Sequence, residues 1–276
     1  MGSFLNFNGK LILQSEFQLP FPNRAFRYGD GFFEAIRVYA GKIPLLDYHL
    51  LRIKYSAAII QLTDLPNDDE LVNQLENLIQ QNNEPNARLR LTFFRSDEGL
   101  YTPINNNALY LAETSPMATL PFELNKNGLI AGFYPERVKL TDSKLSNIKT
   151  LSSANYVLAG LHIKNNGWDD GIILNSDERP CEFYSANLFI VKNGKLYTPP
   201  LSEGCVNGAF RLLLKDILKD ELIEKPLTKT DVLQADEVFL TSGIRGIQWI
   251  KKIEGITYKC NQTTELHHQV MKSIGL

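Results

Sequence analysis

Residues 87–95 read ARLRLTFFR, and no other stretch restricts the fold as tightly. Ala87, Leu89, Leu91 and Phe93 fall on one side of an extended chain, and Arg88, Arg90 and Thr92 on the other. That period of two belongs to a strand with one face in a core. The stretches before it have a different period. Residues 47–62 read as a helix with Asp47 as candidate N-cap. Residues 68–81 carry Leu71, Val72, Leu75, Leu78 and Ile79 at the spacing of one buried helical face. Strands are expected at 32–39, 43–46 and 108–112, with a hairpin at 5–14 around Asn8-Gly9. Two helices between groups of strands do not make βαβ units, so the pattern is α+β and not doubly wound.

Residues 114–128 (TSPMATLPFELNKNG) hold two prolines and little apolar periodicity. They are expected to link an N-terminal α+β domain, 1–113, to a C-terminal α+β domain, 129–276. In the second part, strand-like runs at 129–133, 171–174, 187–191, 196–198 and 237–241 are interspersed with helical runs at 152–165, 208–219 and 264–273. A chain of 276 residues, 43% hydrophobic, can bury a proper core. Its net charge of −2 offers no basic stripe for nucleic acid. Cys181, Cys205 and Cys260 show no metal or disulfide spacing, and His49, His162, His267 and His268 no metal spacing, so free thiols in a reducing cytoplasm and no metal are expected. Neither a signal peptide nor a membrane span is expected. No G-x-G-x-x-G, Walker A or G-x-S-x-G occurs, which leaves a hydrolase without a nucleophile motif.

Four segments carry chemistry: FRYGDGFFEAIRV (26–38) with HLLR (49–52), SNIKTLSSANYVLA (146–159), ERPCEFYSANLFIV (178–191), and LYTPPLSEGCVNGAFR (196–211) with LTSG (240–243). In this order they resemble the fold-type IV pyridoxal-phosphate enzymes: branched-chain and D-amino acid aminotransferases and aminodeoxychorismate lyases. The resemblance runs from about residue 5 to residue 250. It implies a two-domain α+β fold like that of D-amino acid aminotransferase, with pyridoxal 5'-phosphate between the domains of a homodimer. It also implies Arg52 on the cofactor phosphate, where a planar guanidinium suits a dianion. Lys149 is the implied Schiff-base lysine and proton carrier, ahead of the nearby Lys139 and Lys144. Glu182, five residues before Asn187, is the implied partner of the pyridine nitrogen. Val206, Asn207, Thr241 and Ser242 are the implied remaining phosphate contacts, by analogy with anion binding at a helix N-terminus.

The resemblance leaves two reactions open. An aminotransferase moves an amino group between an amino acid and a 2-oxo acid. An aminodeoxychorismate lyase releases 4-aminobenzoate and pyruvate. CVNG (205–208), QADE (234–237) and LYTP (196–199) resemble the lyases, and Glu34 with ARLRL suits class IV aminotransferases in general. The aminotransferase is the first reading and the lyase the second. A non-catalytic binding protein on the same fold is the third, disfavoured because both Lys149 and Glu182 are retained. A substrate carboxylate needs a cation, for which Arg88 and Arg90 are candidates, with Arg27, Arg95 and Arg245 behind them. Tyr28, Tyr101 and Tyr156 could orient substrate or cofactor.

Overall fold

The computed structural model describes residues 3–19, 22–96, 99–117 and 120–275. Contacts divide the chain into two units, Met1–Leu120 with Ile148–Ser153, and Pro121–Asn147 with Ala154–Leu276. The division falls inside the expected linker at 114–128, whose first three residues continue a strand. Residues 148–153, expected with the C-terminal domain, group with the first unit.

The first unit contains β1 (Phe4–Phe7), β2 (Lys10–Leu13), α1 (Arg24–Tyr28), β3 (Gly31–Val38), α2 (Leu46–Ile59), α3 (Asp68–Gln81), β4 (Ala87–Arg95) and β5 (Ala108–Pro116). Its antiparallel sheet runs β2-β1-β5-β4-β3. The alternation of β4 is realised as expected. Ala87, Leu89, Leu91 and Phe93 are buried in one core with Ile53 and Ala57 of α2 and Leu71, Leu75, Leu78 and Ile79 of α3. Each such leucine, isoleucine or phenylalanine contributes about 2 kcal/mol of apolar burial, and each alanine less. The strand expected at 43–46 does not form. Tyr39 and Lys42 close a tight bridge, α2 starts at Leu46, and β3 pairs with β4 instead. Asp47 is not the N-cap but sits in the first helical turn, where its charge suits the helix dipole.

β3 is the sheet edge, and residues 148–153 cover it. The Phe33 N–H donates to Lys149 O at 2.9 Å, the Leu151 N–H donates to Gly31 O at 3.0 Å, and Phe32 bridges Thr150. Gly29 makes this approach possible. Its φ is +62°, and a Cβ there would lie 2.4 Å from Ser152 Oγ and 2.9 Å from Ser152 N.

The second unit contains β6 (Leu129–Lys139), α4 (Ala154–Asn165), β7 (Asp170–Asn175), β8 (Pro180–Phe183), β9 (Ala186–Lys192), β10 (Lys195–Thr198), α5 (Ala209–Leu218), β11 (Leu222–Glu224), α6 (Lys229–Leu233), β12 (Glu237–Ser242), β13 (Gly246–Ile253), β14 (Ile256–Thr257) and α7 (Asn261–Ser273). The sheet order is β11-β10-β9-β12-β13-β6-β7-β8, and β8 also pairs with β9. Six strands therefore close into a ring that has no open edge. β7 and β8 are buried along their full length, and β9 and β12 at nearly every position, which explains their unbroken apolar runs. The registers set Glu182 opposite Asn187 and Asn187 opposite Thr241, so three polar side chains form one row across β8, β9 and β12.

Candidate active site

In the first unit, the i, i+3 spacing of H-x-x-R puts His49 and Arg52 on one face of α2. Both point at Glu34 of β3. Arg52 Nε donates to Glu34 Oε1 at 2.7 Å and its Nη2 donates to Oε2 at 2.5 Å, while His49 Nδ1 lies 2.7 Å from Oε2. All three side chains are buried. Burial alone would raise the Glu34 carboxyl. The Arg52 guanidinium and His49 outweigh that and pull it down to about 2. Burial lowers His49, the Glu34 carboxylate acts against this, and Arg52 and Lys149 add to the lowering. The lowered His49 favours a neutral imidazole, for which the contact with the Glu34 carboxylate is an Nδ1–H donation.

Lys149 is half-buried beside this cluster, with Nζ 4.8 Å from the centre of the Phe33 ring. On the same ring, Arg90 Cζ lies 3.9 Å from the centre. The guanidinium and the ammonium are therefore within about 9 Å of each other. Arg90 also faces Glu113 at 4.0 Å. Burial lowers its guanidinium, against the pull of Glu113 and with the push of Arg88.

In the second unit, Glu182 is buried, and three donors reach it. The Tyr156 hydroxyl donates to Oε1, Lys139 Nζ lies 3.4 Å from Oε1, and the Val206 N–H donates to Oε2 at 2.7 Å. The rival lysine, Lys139, is thus committed to Glu182, to the Ser146 carbonyl at 2.5 Å and to Tyr156 Oη at 3.1 Å. Asn187 Nδ2 donates to Val206 O at 2.7 Å. The Asn207 N–H donates to Asn147 O at 2.9 Å. The Val206 and Asn207 amides, expected on a phosphate, are thus both given to protein acceptors. α5 begins only after Gly208, its N-cap, which has no side chain to cap the helix. The amides of Ala209, Phe210 and Arg211 precede any helical carbonyl partner. A Cβ at Gly208 would lie 2.0 Å from Asn187 Oδ1, so the helix start can sit on the polar row only with glycine there. Thr241 is buried, and its hydroxyl has no hydrogen-bond partner among the described residues. Ser242 Oγ accepts the Arg245 N–H at 3.1 Å and keeps its own proton to donate.

The remaining candidates separate. Tyr156 serves Glu182, a role that the sequence reading did not give it. Arg88 is exposed, on the same sheet face as Arg90. Tyr28 and Tyr101 lie with ring centres 5.3 Å apart, and Tyr101 is 87% exposed. Arg95 is spent on Asp30 and the Ile60 carbonyl, and Arg245 on Asp170 and Ser185. The sequence reading missed the partnership of Glu34 and His49 with Arg52, the role of Lys139, and the first-turn amides of α5. Only the H-x-x-R spacing could have pointed to one of these. Among the described residues there is no cluster of His, Cys, Asp or Glu able to hold a metal and no helix long and apolar enough to cross a membrane.

A solved branched-chain aminotransferase from Thermoproteus uzoniensis, with norvaline, shares this fold. The TM-score is 0.88 at 24% identity, covering 99% of this chain and 95% of that one, so the architecture is α+β fold-type IV. Residues 31–253 match the family described as amino-transferase class IV, and the chain belongs to that family. A D-alanine aminotransferase of Bacillus licheniformis is 28% identical over 271 residues, covering 91% of this chain and 88% of that protein. An aminodeoxychorismate lyase of Bacillus subtilis is 26% identical over 258 residues, covering 91% and 87% respectively.

Proposed function

We propose that the protein is a pyridoxal-phosphate-dependent aminotransferase that moves an amino group between an amino acid and a 2-oxo acid. The observation that carries this reading is the presentation of Lys149. Its backbone is pinned to the β3 edge, and its amine sits beside Phe33 and the buried Arg52–Glu34–His49 cluster. Taken each by itself, both units offer groups of the right chemistry. In the second, the uncapped first turn of α5, through the Ala209 and Phe210 amides, and the hydroxyls of Thr241 and Ser242 suit a phosphate dianion. In the first, the Arg52 guanidinium is a permanent cation of the kind that suits one. The buried Glu182 carboxylate suits a ring nitrogen that carries a proton.

When bound, the cofactor supplies an aldehyde for an amine to condense with and a ring that withdraws electrons. This chain's residues do the rest. Lys149 would hold the cofactor through its amine and would take and return the proton at the substrate Cα. Glu34 fixes the Arg52 fork in one orientation. Glu182 would hold the ring nitrogen. Arg90 meets the substrate carboxylate. We assign the working form to a homodimer in a reducing cytoplasm, in keeping with Cys181, Cys205 and Cys260, all three free thiols. The partners are small amino and oxo acids.

The second reading, an aminodeoxychorismate lyase, is favoured by the Bacillus subtilis relative and by the CVNG, QADE and LYTP strings. The test has two stages. Purified protein given pyridoxal phosphate should show a visible absorbance band that is absent in Lys149→Ala, and absence of the band in the unaltered protein rejects the reading. An amino acid panel with a 2-oxo acid acceptor should then give transfer. Release of 4-aminobenzoate from aminodeoxychorismate without any transfer would select the lyase.

A further inference from the structure

Glu182 does not stand alone against the ring nitrogen that the proposed function gives it. Its Oε1 is shared by the Tyr156 hydroxyl and by Lys139 Nζ at 3.4 Å, and Lys139 Nζ also lies 3.1 Å from the Tyr156 hydroxyl. The side chains of Lys139 and Glu182 are only 6% and 4% exposed, so little solvent screens the pair. Lys139 is anchored from behind by the Ser146 carbonyl at 2.5 Å. The other oxygen, Oε2, takes the Val206 N–H.

The titratable neighbours are neutral. Burial, then the adjacent Glu182 charge, raises Tyr156 well above the ordinary phenol range. Burial does the same to the Cys181 thiol and, against the pull of Arg211, raises Cys205 to about 12. Among the described residues of this unit, Lys139 is the cation within salt-bridge distance of the Glu182 carboxylate.

We propose that Lys139 is a positioning residue that competes with the cofactor's ring nitrogen for the Glu182 carboxylate and so limits how firmly that nitrogen holds its proton. The inference rests on the proposed function. Its physical basis is charge counting. Lys139 and Glu182 together are neutral, so a proton on the ring adds one net positive charge to a dry site. Glu182 without Lys139 would be neutralised by that same proton. The cation therefore works against ring protonation, and the Tyr156 hydrogen bond does so more weakly by drawing carboxylate charge towards its own proton. A ring that holds its proton less firmly is a weaker electron sink. Lys139 thus moderates how readily the substrate Cα gives up its proton.

The experiment uses full-length protein loaded with pyridoxal phosphate carrying a 15N ring nitrogen. The 15N shift, followed against pH, reads ring protonation directly and needs no turnover. Lys139→Met should move the protonation midpoint up by about one unit or more. Tyr156→Phe, which removes no charge, should move it the same way by less, and Lys139→Arg should titrate like the unaltered protein. Loading and far-UV circular dichroism report whether each variant folds, and Tyr156→Phe and Lys139→Arg keep the test alive if Lys139→Met does not. A midpoint unchanged in both Lys139→Met and Tyr156→Phe, or lowered in either, overturns the inference while the proposed function stands. Failure of the unaltered protein to bind the cofactor overturns the proposed function itself.

Discussion

A single aromatic ring organises the cationic side of the first unit. Phe33 carries Arg90 Cζ at 3.9 Å and Lys149 Nζ at 4.8 Å from its centre, a spacing that cation–π attraction sustains while the ring keeps the two charges apart. In the proposed aminotransferase, a substrate amine taking the place of the Lys149 amine would carry its α-carboxylate roughly 3.5 Å away, by ordinary bond lengths. One charge-assisted hydrogen bond then closes most of the distance to Arg90. Arg88 is on the same face but exposed, and exposure costs it most of its value. Arg90→Gln should raise KM for the amino acid roughly tenfold or more, with a smaller change in kcat, because the proposed carboxylate contact would be made in ground and transition states alike. Arg88→Gln should stay within about twofold. Steady-state kinetics on both variants decide it. A large KM effect from Arg88→Gln and none from Arg90→Gln would reverse the assignment.

At the level of elements, helix starts separate what the sequence encodes locally from what it does not. α3 begins where the sequence reading put it, because Asn67 caps it within its own segment, accepting the Glu70 N–H. α7 was expected to begin at residue 264 but begins at Asn261. Its cap comes from Glu237 on β12. The Glu237 carboxylate accepts the N–H groups of Asn261, Gln262 and Thr263 and the Thr263 hydroxyl. No residue near position 260 announces that, and no local rule could. The same holds for the site. H-x-x-R singles out Arg52 as a candidate, and the order of the four motifs singles out Lys149 and Glu182. Lys139 and the amides of Ala209 and Phe210 depend on strand register and on where α5 starts, which only the closed sheet decides. β13 escaped the reading because its Lys251 and Lys252 interrupt an apolar run, although the strand is buried at most positions around them. Glu237→Ala should leave three amides and a hydroxyl without their acceptor and lower stability by about 3 kcal/mol. Urea unfolding followed by circular dichroism checks this, and a midpoint within error of the unaltered protein would show that water replaces the cap.

For the molecule as a whole, a net charge of −2 conceals an uneven placement of acid-sensitive groups. The first unit holds the fully buried Glu34, set by burial, Arg52 and His49 at about 2, together with the lowered His49 and the lowered Asp30, which burial raises and Arg95 and Arg24 bring down. In the second unit the lowered carboxylates are the part-buried Glu224 and Asp231. Each of these groups binds a proton less readily folded than unfolded, so each contributes stability above its unfolded value and loses it as pH falls. For His49 the loss begins below 6.5, and for Glu34 below 4.5 on the way to about 2, where the full contribution is roughly 3 kcal/mol. Acid should therefore weaken the first unit before the second. Two probes can tell the units apart. Both tryptophans, Trp168 and Trp249, lie in the second unit, so intrinsic fluorescence follows that unit, while far-UV circular dichroism follows both. In urea titrations from pH 7 to pH 4, the dichroism midpoint should fall sooner than the fluorescence midpoint, and the gap should widen as pH drops. In His49→Gln the part of that fall that sets in below pH 6.5 should flatten, because glutamine does not titrate. Midpoints that coincide at every pH, or a fluorescence change that leads, would place the acid-sensitive charge elsewhere than in the Glu34 cluster.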